Sequence, residues 1–312
     1  MTPTMTRLRI RPLLAAVLML AGIFAPPAAE AQRPIRVFIS VDMEGIGGVV
    51  TDQQLGPTGF EYTRFREIMT AEALAAMQGA REAGATEFVI ADSHGSMQNL
   101  LIDRFPADVR IVRGTGRPLG MMHGIDSTFS AVMFIGYHSA TTNPQGVRAH
   151  TFSSATLAAV KLNDEPIAES GLNARLAGYF GVPVVLISGD ADAVGELQKL
   201  TATAGPAAEG AVVKDAIGFH AATVMTPEAS QALIRAKAKT AITRLREFKP
   251  VAARGAFRVD ITFKNYMPAE ALAQLPGTER VDAHTVRYRL NSIIDAARFL
   301  GFIGNYRADL TP

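Results

Sequence analysis

The sequence predicts an α/β protein: a mainly parallel sheet flanked by helices, with a smaller C-terminal α+β portion. Three observations carry this reading. Four short runs, 35–41, 87–91, 131–136 and 182–188, are rich in Val, Ile and Phe, lack strict alternation, and end at Gly or polar residues, as strands covered on both faces do. Between the first two, residues 62–83 carry the Ala, Met and Leu of a helix and stop at Gly84. Strand, helix, strand in that order favours parallel pairing, because the crossover returns the chain to run the same way.

Taken in order, the chain opens on a segment that reads as an export signal. Arg7, Arg9 and Arg11 precede an apolar stretch over 13–25 that is short for a bilayer span, and Ala29-Glu30-Ala31 offers a small-x-small cleavage site. Cleavage after Ala31 is expected. The mature protein is then exported, and periplasmic if the host is Gram-negative.

Past the strand at 131–136, residues 156–168 suggest a small hairpin turning at Asn163-Asp164, and 171–180 a short helix leading into the strand at 182–188. After Ala204-Gly205-Pro206 the chain becomes more polar, and a boundary is expected near Gly205. It separates an α/β domain over 32–205 from a C-terminal α/β domain over 206–312. In the latter, Thr226 as a cap and Pro227 in the first turn start a helix running to about 248. Residues 257–263 and 285–290 alternate as strands, and 292–300 closes the chain as a helix.

Composition narrows the chemistry. The 31 Lys+Arg and 29 Asp+Glu of the full chain become equal once Arg7, Arg9, Arg11 and Glu30 leave with the signal. The sustained basic surface that nucleic acid requires is therefore missing, and no nucleic-acid partner is expected. With no cysteine in the chain, thiol nucleophiles, Cys-ligated zinc and iron–sulfur clusters are excluded. After residue 31 no stretch is long and apolar enough to span a membrane, and roughly 280 mature residues suffice for a substantial core.

Ligand-type groups recur where strands end. The first run closes on Asp42-Met43-Glu44-Gly45, the second on Asp92-Ser93-His94-Gly95, the third on Gly136-Tyr137-His138. Carboxylates one residue apart on an extended strand share a face, and two like charges held together call for a cation. The carboxyl ends of parallel strands meet at one edge, so Asp42, Glu44, His94 and His138 are expected to converge. Oxygen and imidazole donors without sulfur suit zinc or another divalent first-row metal. Glu169, placed just before the helix expected at 171, makes a fifth candidate. Five donors invite two metal ions sharing one carboxylate, with Asp42 as the bridge.

His150 follows the polar loop 139–149 and is a candidate for proton transfer or charge stabilisation, whereas His123, His220 and His284 read as structural. Asp92 either orients a ligating histidine, meets a substrate ammonium, or caps a turn. Gly45-Ile46-Gly47-Gly48 lacks the third glycine of a dinucleotide fingerprint, since position 50 is Val. No Gly-x-Ser-x-Gly elbow is present.

Together, Ser40-Val41-Asp42-Met43-Glu44-Gly45, Asp92-Ser93-His94, Gly136-Tyr137-His138, His150 and Glu169-Ser170-Gly171-Leu172-Asn173 resemble the D-aminopeptidase family, the M55 metallopeptidases. Asn265-Tyr266 and Pro276-Gly277-Thr278 extend the likeness over nearly the whole mature chain. The resemblance implies a two-zinc aminopeptidase with Asp42, Glu44, His94, His138 and Glu169 in the ligand positions and His150 at the family's catalytic nucleophile. It further implies a ring-shaped homo-oligomer, often a decamer. Departures are Gly47 and Ala91, where the family pattern has Ser and Asn, and a loop before His150 longer by one residue.

The expected function is zinc-dependent removal of an N-terminal D-amino acid, D-alanine foremost, from short peptides. Two rivals stand beside it: a metal-dependent amidase or esterase on the same scaffold, and a non-catalytic periplasmic protein that binds peptide or metal.

Overall fold

The computed structural model describes residues 1–4 and 33–305. Contacts divide the chain into Met1–Pro34 and Ile35–Pro312, and all described secondary structure lies in the second unit. Apart from residues 1–4, the expected export signal falls outside the described residues.

The chain begins with β1 (Ile35–Val41), α1 (Tyr62–Glu82), β2 (Ala85–Asp92), β3 (Arg110–Val112) and β4 (Ala131–Tyr137). A hairpin of β5 (Leu157–Leu162) and β6 (Glu165–Pro166) precedes α2 (Glu169–Tyr179), β7 (Val184–Asp190) and α3 (Ala191–Thr201). Then come β8 (Glu209–Gly218), β9 (Ala221–Val224) and α4 (Pro227–Thr243). The chain closes with β10 (Phe257–Phe263), α5 (Tyr266–Leu272), β11 (Glu279–Arg280), β12 (Thr285–Leu290) and α6 (Ile293–Asn305).

Two sheets result. The larger has the order β3-β2-β1-β4-β7-β8-β9, parallel throughout except for β9, which pairs antiparallel on the edge. The smaller, β11-β12-β10-β5-β6, is antiparallel. The expected parallel α/β sheet is thus observed. The strand order reverses between β1 and β4, the kind of switch point beside which open parallel sheets place their ligands.

Alternation along β1 assigns its two faces. Val37, Ile39 and Val41 join Met133 and Ile135 in a cluster with Met69, Ala73 and Ala76 of α1 and Ile234 and Ala238 of α4. Phe38 instead joins Phe134, Leu172 and Leu176 of α2, and Val259, Ile261 and Val286 of the smaller sheet. Helices α1 and α4 therefore cover one face, and α2 with the smaller sheet covers the other.

The boundary expected near Gly205 lies between α3 and β8, and β8 pairs with β7 in the same sheet. The smaller sheet likewise joins segments from both sides of residue 205, and residues 35–312 group as one unit. Among the described residues no helix is long and apolar enough to cross a membrane.

Candidate metal centre

The site forms at the carboxyl ends of β1, β2 and β4, three adjacent strands. Strand geometry ends at Val41, so Asp42 and Glu44 sit in the turn that follows and not on the strand face expected for them. Three backbone bonds shape the turn: Asp42 N–H to Ile135 O at 2.8 Å, Gly45 N–H to Gly136 O at 2.7 Å, and Ile46 N–H to Met43 O at 3.1 Å. A Cβ on residue 45 would lie 2.0 Å from the Tyr137 carbonyl oxygen. Only glycine lets the turn press this closely on the end of β4.

The five expected ligands converge. His94 Nδ1 is 2.9 Å from Glu44 Oε2 and 3.4 Å from Asp42 Oδ1. His138 Nε2 is 3.3 Å from Asp42 Oδ2 and 3.5 Å from Glu169 Oε2. Asp42 thus turns one oxygen to each of two carboxylate–imidazole pairs. All five side chains are buried, Asp42 to 2 % exposure. Glu169 is the first residue of α2, not a loop residue before it, and its Oε1 accepts from Phe152 N–H at 2.6 Å.

Each imidazole is pinned through its other nitrogen. His94 Nε2 is 2.8 Å from Leu55 O, and His138 Nδ1 is 3.1 Å from Ser139 O. A carbonyl only accepts, so those nitrogens carry protons, and the opposite ones face the carboxylates, where a proton or a metal ion must lie between. Lone pair facing carboxylate is repulsive unless a proton or metal ion intervenes. Accordingly Asp42 Oδ2 and His138 Nε2 are buried without a hydrogen-bond partner.

The electrostatics agree. Burial, with the charge of Glu44 adding to it, raises the Asp42 carboxyl above its ordinary range. Burial opposes charge on Glu44 as well, but the adjacent His94 outweighs it and holds Glu44 well below the carboxylate range. Burial would lower both histidines. Glu44 and Asp42 instead lift His94, and Glu169 and Asp42 lift His138, well above the usual imidazole value. Such a cluster demands positive charge, and oxygen and nitrogen donors of this kind fit divalent zinc.

His150 stands beside the cluster. Its ring stacks on that of His138, centroids 4.0 Å apart and planes 8° from parallel. Its Nδ1 is 2.9 Å from Arg148 O, which leaves Nε2 free and 3.9 Å from Glu169 Oε1. In ligand reach, His138, His150 and Glu169 form one group and Asp42, Glu44 and His138 another.

Asp92 meets neither ligating ring nor open space. Its oxygens accept from Asn99 N–H, Asn99 Nδ2 at 2.9 Å and Leu100 N–H at 2.7 Å. Asn99 Nδ2 also donates to His94 O at 2.7 Å. Asp92 therefore folds the 93–100 loop and reaches His94 only through its backbone.

Two charged residues here escaped sequence reasoning. Lys214 of β8 is buried, and its Nζ donates to the carbonyls of Glu44, Ile46 at 3.1 Å and Val49 at 2.7 Å. Burial pulls its ammonium down to about 8. Glu72 of α1 accepts from Gly47 N–H at 3.1 Å and Ser230 Oγ at 2.7 Å, and burial pushes its carboxyl up to about 7. Lys214 sits between Val213 and Asp215 in a short, mainly apolar run, and Glu72 sits mid-helix, so neither carries a local signal.

Fold and donor set together are those of a metallohydrolase. The chain belongs to the M55 peptidase family, described as D-aminopeptidase, whose profile matches residues 35–302. It is 33% identical over 263 residues to a D-aminopeptidase of Bacillus subtilis (strain 168), covering 84% of this chain and 94% of that protein. Among solved structures it is similar to the Zn-dependent D-aminopeptidase DppA from Bacillus subtilis, described as a self-compartmentalizing protease. The TM-score is 0.81 at 31% identity, over 89% of this chain and 100% of that one.

Proposed function

We propose that this protein is a zinc-dependent aminopeptidase that releases an N-terminal D-amino acid, D-alanine foremost, from short peptides, using two zinc ions per subunit. The observation that carries the reading is Asp42, whose two oxygens each face a separate carboxylate–imidazole pair. One half-site comprises Asp42, Glu44 and His94, and the other Asp42, His138 and Glu169. The zinc-dependent D-aminopeptidase of similar structure supports both the metal and the reaction.

When bound, the ions supply Lewis acidity toward the scissile carbonyl and toward water. Around them the chain's own groups act. Glu44, Asp42 and Glu169 supply negative charge in a buried setting. The carbonyls of Leu55 and Ser139 fix the tautomers of His94 and His138. His150, held through Nδ1, presents Nε2 to take a proton from the attacking water and return it to the leaving amine.

The family's assembly and the relative's self-compartmentalizing character support a homo-oligomer, with a decamer as the working expectation. The basic and apolar composition of residues 7–31 supports export, to the periplasm in a Gram-negative host.

The test is to count zinc per chain in the purified protein and compare turnover of D-Ala and L-Ala anilides with their N-acetylated forms. The expected result is two ions and hydrolysis of the D-substrate with a free amine. Turnover of the acetylated compounds favours the amidase, and a protein without turnover after zinc addition refutes the enzyme reading.

A further inference from the structure

The turn at residues 44–49 is held from two sides by charge that takes no direct part in the cluster. On one side the carbonyls of Glu44, Ile46 and Val49 converge on the Lys214 ammonium. An ammonium has three donors, and here each meets one carbonyl of a single six-residue turn. On the other side the N–H of Gly47 donates to Glu72, which Ser230 also engages. A Cβ on residue 47 would lie 3.0 Å from Glu72 Oε1 and 3.1 Å from Ser230 Oγ, so glycine at this position lets the carboxylate close on the backbone.

Lysine is seldom buried completely, and an ammonium away from water is costly unless hydrogen-bonded and balanced. Lys214 is 2 % exposed. Its counter-charges come from Asp190 of β7, which lies opposite it across the β7–β8 pairing, then from Glu72 and Glu44. Asp190 Oδ1 caps α3 through Ala193 N–H at 2.9 Å, while Oδ2 has no hydrogen-bond partner. Three carbonyls form a nest around one cation. In this chain the cation is tethered to β8.

We propose that Lys214 is a positioning residue for the metal centre, a built-in cation that fixes the 44–49 turn so that the Glu44 carboxylate meets His94. It acts on the half-site of Asp42, Glu44 and His94, and leaves that of His138 and Glu169 largely alone. The inference rests on the zinc reading above. It adds a determinant of metal affinity that touches neither metal ligand side chains nor substrate.

The experiment is zinc titration of the purified full chain against a chromogenic chelator, for wild type, Lys214→Met and Lys214→Ala. Partners that orient ligands are commonly worth about 10–100-fold in metal affinity. Lys214→Met is expected to weaken one of the two ions by at least about tenfold while its far-UV circular dichroism matches wild type. In Lys214→Ala, ammonium or potassium chloride is expected to restore zinc affinity, and tetramethylammonium chloride, too large for the nest, is not. A merely structural lysine shows no such cation selectivity.

Wild-type affinity for both ions in Lys214→Met, or equal weakening of both without rescue, overturns the inference. Should the Met and Ala variants fail to fold, Lys214→Gln keeps an amide donor without the charge and is judged by the same one-ion criterion. A wild-type protein that binds no zinc defeats the zinc reading itself, an outcome distinct from normal wild-type binding beside an unaffected variant.

Discussion

The imidazole rings of His138 and His150 lie face to face, 4.0 Å between centroids and 8° from parallel. The proposed function divides their roles, with His138 a ligand through Nε2 and His150 a proton carrier. His150→Gln is expected to lower kcat by about 10²–10⁴-fold with zinc content unchanged. Steady-state kinetics beside metal analysis checks this. Loss of one ion in that variant would instead make His150 a ligand, a role its group with His138 and Glu169 allows.

Asp42 turns one oxygen to His94 and the other to His138, whereas Glu44 pairs with His94. Asp42→Ala is therefore expected to lose both zinc ions and Glu44→Gln only one. Metal counted per chain after dialysis discriminates, and retention of both ions by Asp42→Ala would refute the bridge.

Asp92 satisfies three donors in the 93–100 loop. In Asp92→Asn an amide group replaces one acceptor and confronts a buried donor. A loss of about 1–3 kcal/mol, or roughly 2–10 °C in Tm, is expected. Zinc affinity should fall as well, because the loop carries His94. Differential scanning calorimetry with a zinc titration tests both, and an unchanged Tm would show that the loop folds without this carboxylate.

Glu72 carries a folded-state pKa of about 7 against an ordinary 4.5, raised by burial. The folded protein therefore holds this proton to higher pH than the unfolded chain. Its contribution to stability is complete below about 4.5 and is lost as pH rises through about 7. Glu72→Gln keeps an acceptor for Gly47 and Ser230 but cannot ionise. The Tm of the metal-free variant, relative to wild type, is expected to climb across that window, and parallel Tm profiles would refute the assignment.

Legibility from sequence was greatest where ligand-type residues coincided with strand ends. Asp42, His94 and His138 follow β1, β2 and β4, and the parallel order of these strands brings them together whatever the detail of the turns. It faltered where geometry belongs to the turns themselves. Asp42 and Glu44 converge through a turn closed by Gly45 against Gly136, a contact between residues far apart in sequence. Helix α3 went unread because Ala191-Asp192-Ala193 follows a buried strand without a break, although Asp190 caps it. Lys214 was invisible for a similar reason: its significance lies in carbonyls some 165–170 positions upstream.

The smaller sheet has a consequence for the order of events in synthesis. The β5–β6 hairpin lies between His150 and Glu169, and β5 completes its pairing only with β10, where Leu162 meets Val259. A growing chain must pass Val259 before that hairpin has its second neighbour, and long-range pairing of this kind forms late. Asp42, Glu44 and His94 are all synthesised long before. Segments from both sides of residue 205 must therefore be present before the cluster is framed, since β5 pairs with β10 and the turn that carries Glu44 is held by Lys214.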